Sequence, residues 1–273
     1  MLSAIAIDDP LDPRIAAYRD VRERDLVGRQ GHFIAEGAVV LRILLTGARH
    51  EAVSLLIADN RLEALAPLLD GLPDSVPVYR ARQEILDAIA GFPLHRGILA
   101  LGRRAPEPDA DAFLAGLGRR ALVPVLCGIG NHDNVGGIFR NAAAFGADAV
   151  ILDAGCCDPL YRKAIRVSVG ATLRVPFLRL GRGVDPLGLL ARHGFEAIAL
   201  SPAGAVPLAA LEAPARAAVL LGSEGPGLPA GLLARTRTVR IPMAPGFDSL
   251  NVATTSGIVL HHLAFMAGLR DGG

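Results

Sequence analysis

The chain has 273 residues, about half of them hydrophobic and a fifth charged, with a formal net charge of +1. This is ordinary globular composition, enough for one large or two modest domains, and it excludes a global basic field as the source of any nucleic-acid binding. Cys127, Cys156 and Cys157 form no Cys-x-x-Cys pair, and no apolar run reaches the roughly 18 residues of a membrane span. The expectation is a reduced, cytoplasmic chain without membrane contact.

The N-terminal MLSAIAIDDPLDPR lacks a basic region ahead of an apolar stretch, so no secretory leader is expected. Helices are then predicted over Asp12–Gly28, from Gly37, over Asn60–Asp70 and after VPVYR, interleaved with the strands HFIAEG, AVSLLIAD, VPVYR and GILALG. That is a small α/β domain over 1–104. RRAPEPDADAFL interrupts the apolar periodicity with two prolines and mixed charge, which places a linker at 105–119.

From 120 to 273 the apolar runs are ALVPVLCGI, DAVILD, RVPFLRL, FEAIALS, AAVLLGSE and TVRIPM. Short, continuous apolar runs separated by helix-like segments predict strands buried on both faces, as in a mainly parallel sheet. The last predicted element is an apolar terminal helix, NVATTSGIVLHHLAFMAGL.

Three polar, glycine-rich segments follow strand ends, where open α/β sheets build ligand sites. The first runs from Gly130 to Ala142 through Asn134, Gly136, Gly137 and Arg140, with Asn134 read either as a helix cap or as a site residue. The second, Leu221-Gly222-Ser223-Glu224-Gly225-Pro226-Gly227-Leu228, lets backbone approach a ligand around one carboxylate, and is equally the composition of a turn. In the third, Ile241-Pro242-Met243 leads to Ser249-Leu250-Asn251-Val252, where Ser249 and Asn251 suit helix capping or a substrate hydroxyl.

Familiar motifs are missing. Gly128 and Gly130 are followed by Asp133 where a dinucleotide-binding loop needs glycine, and neither a Walker loop nor a Gly-x-Ser-x-Gly elbow occurs. His261 and His262 are adjacent and cannot share a helix face, and the cysteines lack zinc spacing, so no metal is expected.

In this order the three segments resemble the motifs of the SpoU family of RNA 2′-O-methyltransferases, in the SPOUT class and TrmH-like. Lys163–Ala171, which ends in Ser-x-Gly-Ala, also resembles a family segment, and Phe33–Gly37 resembles part of the ribosomal-protein-like substrate domain of many members. The resemblance implies a trefoil-knotted C-terminal domain, S-adenosylmethionine as cofactor, a homodimer, and ribosomal or transfer RNA as partner. It implies Arg140, Asn134, Glu224, Ser249 and Asn251 as catalytic-site residues, with Leu221, Gly222, Ile241, Met243, Ser249 and Leu250 at the cofactor. Asp248 stands where a glutamate is common and Ala253 where a serine often occurs, departures that leave the motif centres intact. Methylation of a base and non-catalytic RNA binding are the alternatives.

Overall fold

A computed structural model describes residues 4–19, 23–91 and 94–269, which divide into two compact units. One takes in Met1–Pro106 together with Asp158–Arg174; the other takes in Glu107–Cys157 and Val175–Gly273.

The first unit opens with β1 (Ala4–Ala6). In place of one helix over Asp12–Gly28, the chain forms a 3-10 turn at Pro13–Tyr18 and a six-residue helix α1 (Glu23–Gly28). The Asp12 carboxylate caps the turn by accepting from the Arg14 amide at 2.8 Å, and extended backbone at Arg19 ends it. The middle of the expected helix, 20–22, lies outside the described residues.

There follow β2 (His32–Glu36), α2 (Ala38–Thr46), β3 (Glu51–Ala58), α3 (Leu62–Leu69), β4 (Val78–Ala81), α4 (Gln83–Ala90) and β5 (Ile98–Arg103). The sheet order is β1-β4-β3-β5-β2, with β1, β4 and β3 parallel and β5 antiparallel to both its neighbours. The buried side chains of Ile7, Leu56, Leu86 and Leu99 share one core with Tyr18, whose hydroxyl is 2.7 Å from Ser54 Oγ. Burial raises the Tyr18 phenol far above its usual value, against the opposing hydrogen bonds from Ser54 and the Leu101 amide.

The second unit begins inside the stretch read as a linker. Asp109 accepts from the Ala112 amide and starts α5 (Ala110–Ala115), whose Leu114 is fully buried. Next come β6 (Ala121–Cys127), α6 (His132–Ala144) and β7 (Val150–Leu152). The chain then supplies α7 (Arg162–Val167) and α8 (Ala171–Arg174) to the first unit.

Back in the second unit are β8 (Phe177–Arg179), α9 (Pro186–Arg192), β9 (Glu196–Leu200), β10 (Val206–Pro207), β11 (Arg216–Gly222), α10 (Ala230–Leu233), β12 (Arg237–Arg240) and α11 (Val252–His261), continued by a π turn at His262–Met266. The strands form one seven-stranded parallel sheet, in the order β10-β12-β9-β11-β6-β7-β8. The α/β class and the parallel sheet match the sequence reading.

Pro124 sits inside β6, where a missing amide would normally break a ladder. Leu122 directs its amide and carbonyl toward Asp148, so Pro124, two residues on, faces the same side. The β6–β7 ladder starts only at Val125, so Pro124 lies just ahead of its first registered pair.

Because all seven strands are parallel, their carboxyl ends share one edge, and β9, β11 and β12 are brought side by side there. Among the described residues, no helix is long and apolar enough to cross a membrane.

Candidate active site

α6 starts earlier than the sequence suggests. Asn131, not Asn134, is its cap, accepting from the Asp133 amide at 2.8 Å. That places Asn134 inside the first turn, 4% exposed, with its side chain free of capping.

Asn134 Nδ2 donates to Glu224 Oε1 at 2.7 Å, and its Oδ1 accepts from Asn251 Nδ2 at 2.9 Å. Asn251 Nδ2 also lies 3.2 Å from Glu224 Oε1. The other end of the Asn251 amide caps α11, accepting from Ala253 and Thr254 at 2.9 and 3.2 Å. Three residues from the three polar segments thus interlock, and Glu224 Oε2 stays outside the network on an exposed side chain. Charge-assisted bonds to Oε1 fix the carboxylate without covering it.

The turn that carries Glu224 folds back on its own strand. The Gly227 amide donates to the Ser223 carbonyl at 3.1 Å, and Gly225 and Gly227 have φ of +83° and +67°. A Cβ on Gly222 would lie 2.4 Å from the Gly227 carbonyl carbon, so only glycine fits the strand end.

Beside this turn is a cavity of about 480 Å³. Leu221, Gly222 and Glu224 line it from the end of β11; Val239, Ile241 and Met243 from the end of β12; Ser249, Leu250, Asn251 and Val252 from the approach to α11. Leu200, the last residue of β9, and the Ser201 and Pro202 that follow it form a wall that the sequence reading did not include. The lining combines apolar side chains with exposed glycine backbone and one carboxylate, a composition suited to a small ligand with an apolar ring and a few polar groups. The adenosine and sulfonium of S-adenosylmethionine fit that description.

The structure therefore gathers Asn134, Glu224, Ser249 and Asn251 with Leu221, Gly222, Ile241, Met243 and Leu250. Arg140 is elsewhere: it is exposed on α6, six residues past Asn134, and does not line the cavity. Among the described residues that line it, Glu224 is the only ionisable side chain.

Asn141, next to Arg140, was not singled out in the sequence reading. Its Nδ2 donates to the Ala253 carbonyl at 2.7 Å and to Ser256 Oγ at 2.9 Å, while a Cβ on Gly137 would meet Ala253 Cβ at 2.7 Å. Asn134, Gly137 and Asn141 recur at helical spacing and together hold the first turn of α11 against α6.

Cys127 and Cys156 are buried near Asp153. Burial first, and the Asp153 charge second, push the Cys127 thiol up to about 12 and the Cys156 thiol higher. Neither is a nucleophile at neutral pH. Among the described residues there is no cluster of three or more His, Cys, Asp or Glu side chains placed to hold a metal ion.

The model of the SpoU rRNA Methylase family matches residues 121–261. A Mycobacterium bovis protein named as an uncharacterized tRNA/rRNA methyltransferase is 41% identical over 273 residues, covering 97% of this chain and 91% of that protein. A 23S rRNA (guanosine-2′-O-)-methyltransferase of Acinetobacter baylyi is 29% identical, over 74% of this chain and 83% of its own. In fold, the chain is similar to an AdoMet-bound rRNA methyltransferase from Sinorhizobium meliloti, with a TM-score of 0.78 at 22% identity, covering 94% of this chain and 96% of that one.

Proposed function

The chain belongs to the SpoU rRNA methylase family, and from that membership we propose that it transfers a methyl group from S-adenosylmethionine to a ribose 2′-hydroxyl of ribosomal RNA. The observation that carries the reading is the cavity at the ends of β11 and β12, bounded by the same segments that contain the interlocked Glu224 and Asn251. The 2′-O specificity named for the Acinetobacter baylyi relative supports a ribose acceptor in ribosomal RNA.

When bound, S-adenosylmethionine supplies a methyl group on a positively charged sulfur. Leu221, Ile241, Met243 and Leu250 would enclose the adenosine, with the Gly222 backbone close enough to hydrogen-bond to it. Asn134 and Asn251 keep the Glu224 carboxylate at one position beside the cavity, and Ser249 offers a hydroxyl at its lining.

The acceptor hydroxyl must be aligned and must lose its proton. Arg140 presents donors only and has no lone pair to accept that proton. Its role in this reading is to orient the hydroxyl or the adjacent phosphate and to stabilise developing alkoxide charge, with the proton passing to phosphate, Glu224 or water. Since Arg140 does not line the cavity within one chain, a homodimer that brings it to a partner's cavity is part of the proposal. The exposed Ile258, Phe265 and Met266 at the C-terminal end of the second unit offer apolar surface for that contact. The trefoil knot belongs to the same proposal, as does RNA recognition by the first unit.

Product analysis tests the reaction. Deproteinised ribosomal RNA incubated with the protein and labelled S-adenosylmethionine is digested to nucleosides and resolved by mass spectrometry. Label in a 2′-O-methylnucleoside is expected; label in a base-methylated nucleoside, or none, overturns the proposal. Arg140→Ala should abolish transfer while cofactor binding persists.

A further inference from the structure

Charge is unevenly distributed along this nearly neutral chain. The stretch Asp158–Arg174 contains Arg162, Lys163, Arg166 and Arg174 against the single carboxylate of Asp158, whereas the remainder has 24 cations and 26 carboxylates. This stretch, containing the only lysine, folds with the first unit although β7 and β8, on either side of it in sequence, belong to the second.

Two ion pairs anchor the stretch within the first unit. Arg162 donates from Nε and Nη2 to Glu36 Oε2 at 3.1 and 2.9 Å, and Arg104 pairs with the buried Asp158. Gly170 packs against α2, where a Cβ would approach Ile43 Cδ1 to 2.8 Å. With these groups holding the stretch in place, Lys163, Arg166 and Arg174 remain exposed.

The joint between α7 and α8 is strained. Val169 has φ of +54°, the only non-glycine residue with positive φ among those described, and Gly170 follows at +82°. A β-branched side chain strongly disfavours that region. The surroundings hold it there: Ser168 Oγ donates to the Ile165 carbonyl at 3.0 Å and lies 3.3 Å from the Thr172 amide, and Ala164, Ile165, Ala171 and Leu173 are buried. Val169 itself is 39% exposed. Strain kept at an exposed position between two cation-bearing helices points to a preorganised contact rather than to packing.

We propose that the α7–α8 elbow is a contact for the RNA backbone, in which Arg166, Arg174 and Lys163 meet phosphates and Val169 lies against an unpaired ribose or base. The proposal rests on the reading of the first unit as an RNA-binding unit. Phosphate is the fitting partner because the cations stand on a fixed backbone in a carboxylate-poor segment, and forked guanidinium donors match phosphate oxygens.

Affinity of the full chain for deproteinised ribosomal RNA, measured across a series of salt concentrations, tests it. Each lost phosphate contact should lower the slope of log affinity against log salt by about 0.7–0.9. The double variant Arg166→Ala/Arg174→Ala is expected to lose roughly 1.5 units of slope and at least about tenfold in affinity at low salt, with the cofactor dissociation constant and thermal midpoint unchanged. Val169→Gly should raise the thermal midpoint and lower RNA affinity severalfold. An unchanged slope in the double variant, or a raised midpoint with unaltered RNA affinity in Val169→Gly, overturns the elbow as a contact. Failure of the wild-type chain to bind RNA at any salt would instead overturn the parent reading of the unit.

Discussion

Asn134 and Glu224, ninety residues apart in the chain, are joined by a 2.7 Å bond from Nδ2 to Oε1, and Asn251 reaches both. Replacing the carboxylate separates its two functions. Glu224→Gln keeps an oxygen acceptor for both amides but removes the charge, whereas Glu224→Ala leaves the buried Asn134 amide without its partner, a cost of about 1–3 kcal/mol. Calorimetry should show cofactor affinity within about threefold of wild type for Glu224→Gln and reduced tenfold or more for Glu224→Ala. Equal losses in the two variants would mean that charge, not the network, shapes the cavity.

The Gly222 position tests the cavity sterically. Gly222→Ala forces a Cβ to 2.4 Å from backbone that cannot swing away, so the turn must move and cofactor binding should fall by more than about tenfold with the fold intact. Gly231→Ala is the control: nothing lies within 4 Å of its Cβ and it sits in α10, so stability should hold or rise slightly. Circular dichroism and titration of the two variants give the comparison.

Asn141 predicts an effect at a distance. Its amide bonds the Ala253 carbonyl and Ser256 Oγ, two and five residues beyond Asn251, and so locates the segment that supplies Ser249 and Leu250 to the cavity. Asn141→Asp cannot donate to that carbonyl and should weaken cofactor binding several-fold; Ser256→Ala, which leaves the Asn141–Ala253 bond in place, should weaken it less. If both variants lose thermal stability without any change in cofactor affinity, the asparagine serves packing alone.

His50 predicts a pH dependence of stability. Its Nδ1 accepts from the Ala105 amide at 3.2 Å, and burial, reinforced by Arg49 and Arg104, pushes the imidazole down from 6.5 to about 4. Between those values the unfolded chain binds a proton that the folded chain does not. Stability is therefore retained above pH 6.5 and falls as the pH drops toward 4, by about 3 kcal/mol at most from this group. His50→Asn keeps an acceptor near the Nδ1 position but does not titrate. Its denaturation midpoint should fall less than that of wild type between pH 7.5 and 5, and parallel losses would show that other groups dominate.

Much of the parallel sheet was legible because strands covered on both faces leave continuous apolar runs, as AAVLLG does in β11. β1 and β10, with three and two residues, are too short to leave a pattern. The start of α6 was displaced by three residues because Asn131 and Asn134 are chemically identical candidates for a cap, and only the fold shows which one meets a free amide. α5 was hidden by the Pro106 and Pro108 that precede it. The three loops could be found as composition, but Leu200–Pro202 could not, since only the strand order β12-β9-β11 brings that wall to the cavity. Asn141 was unread for a similar reason: its partners lie more than a hundred residues away.

The most direct measurement is a crystal structure of the full chain with S-adenosylhomocysteine, the demethylated product of the donor. The adenosine should lie in the cavity between Gly222 and Leu250, against Leu221, Ile241 and Met243, with the sulfur directed toward the side where a partner's Arg140 can approach. Adenosine bound anywhere else, or a cavity left empty at saturating ligand, would contradict the assignment of this site to methyl transfer.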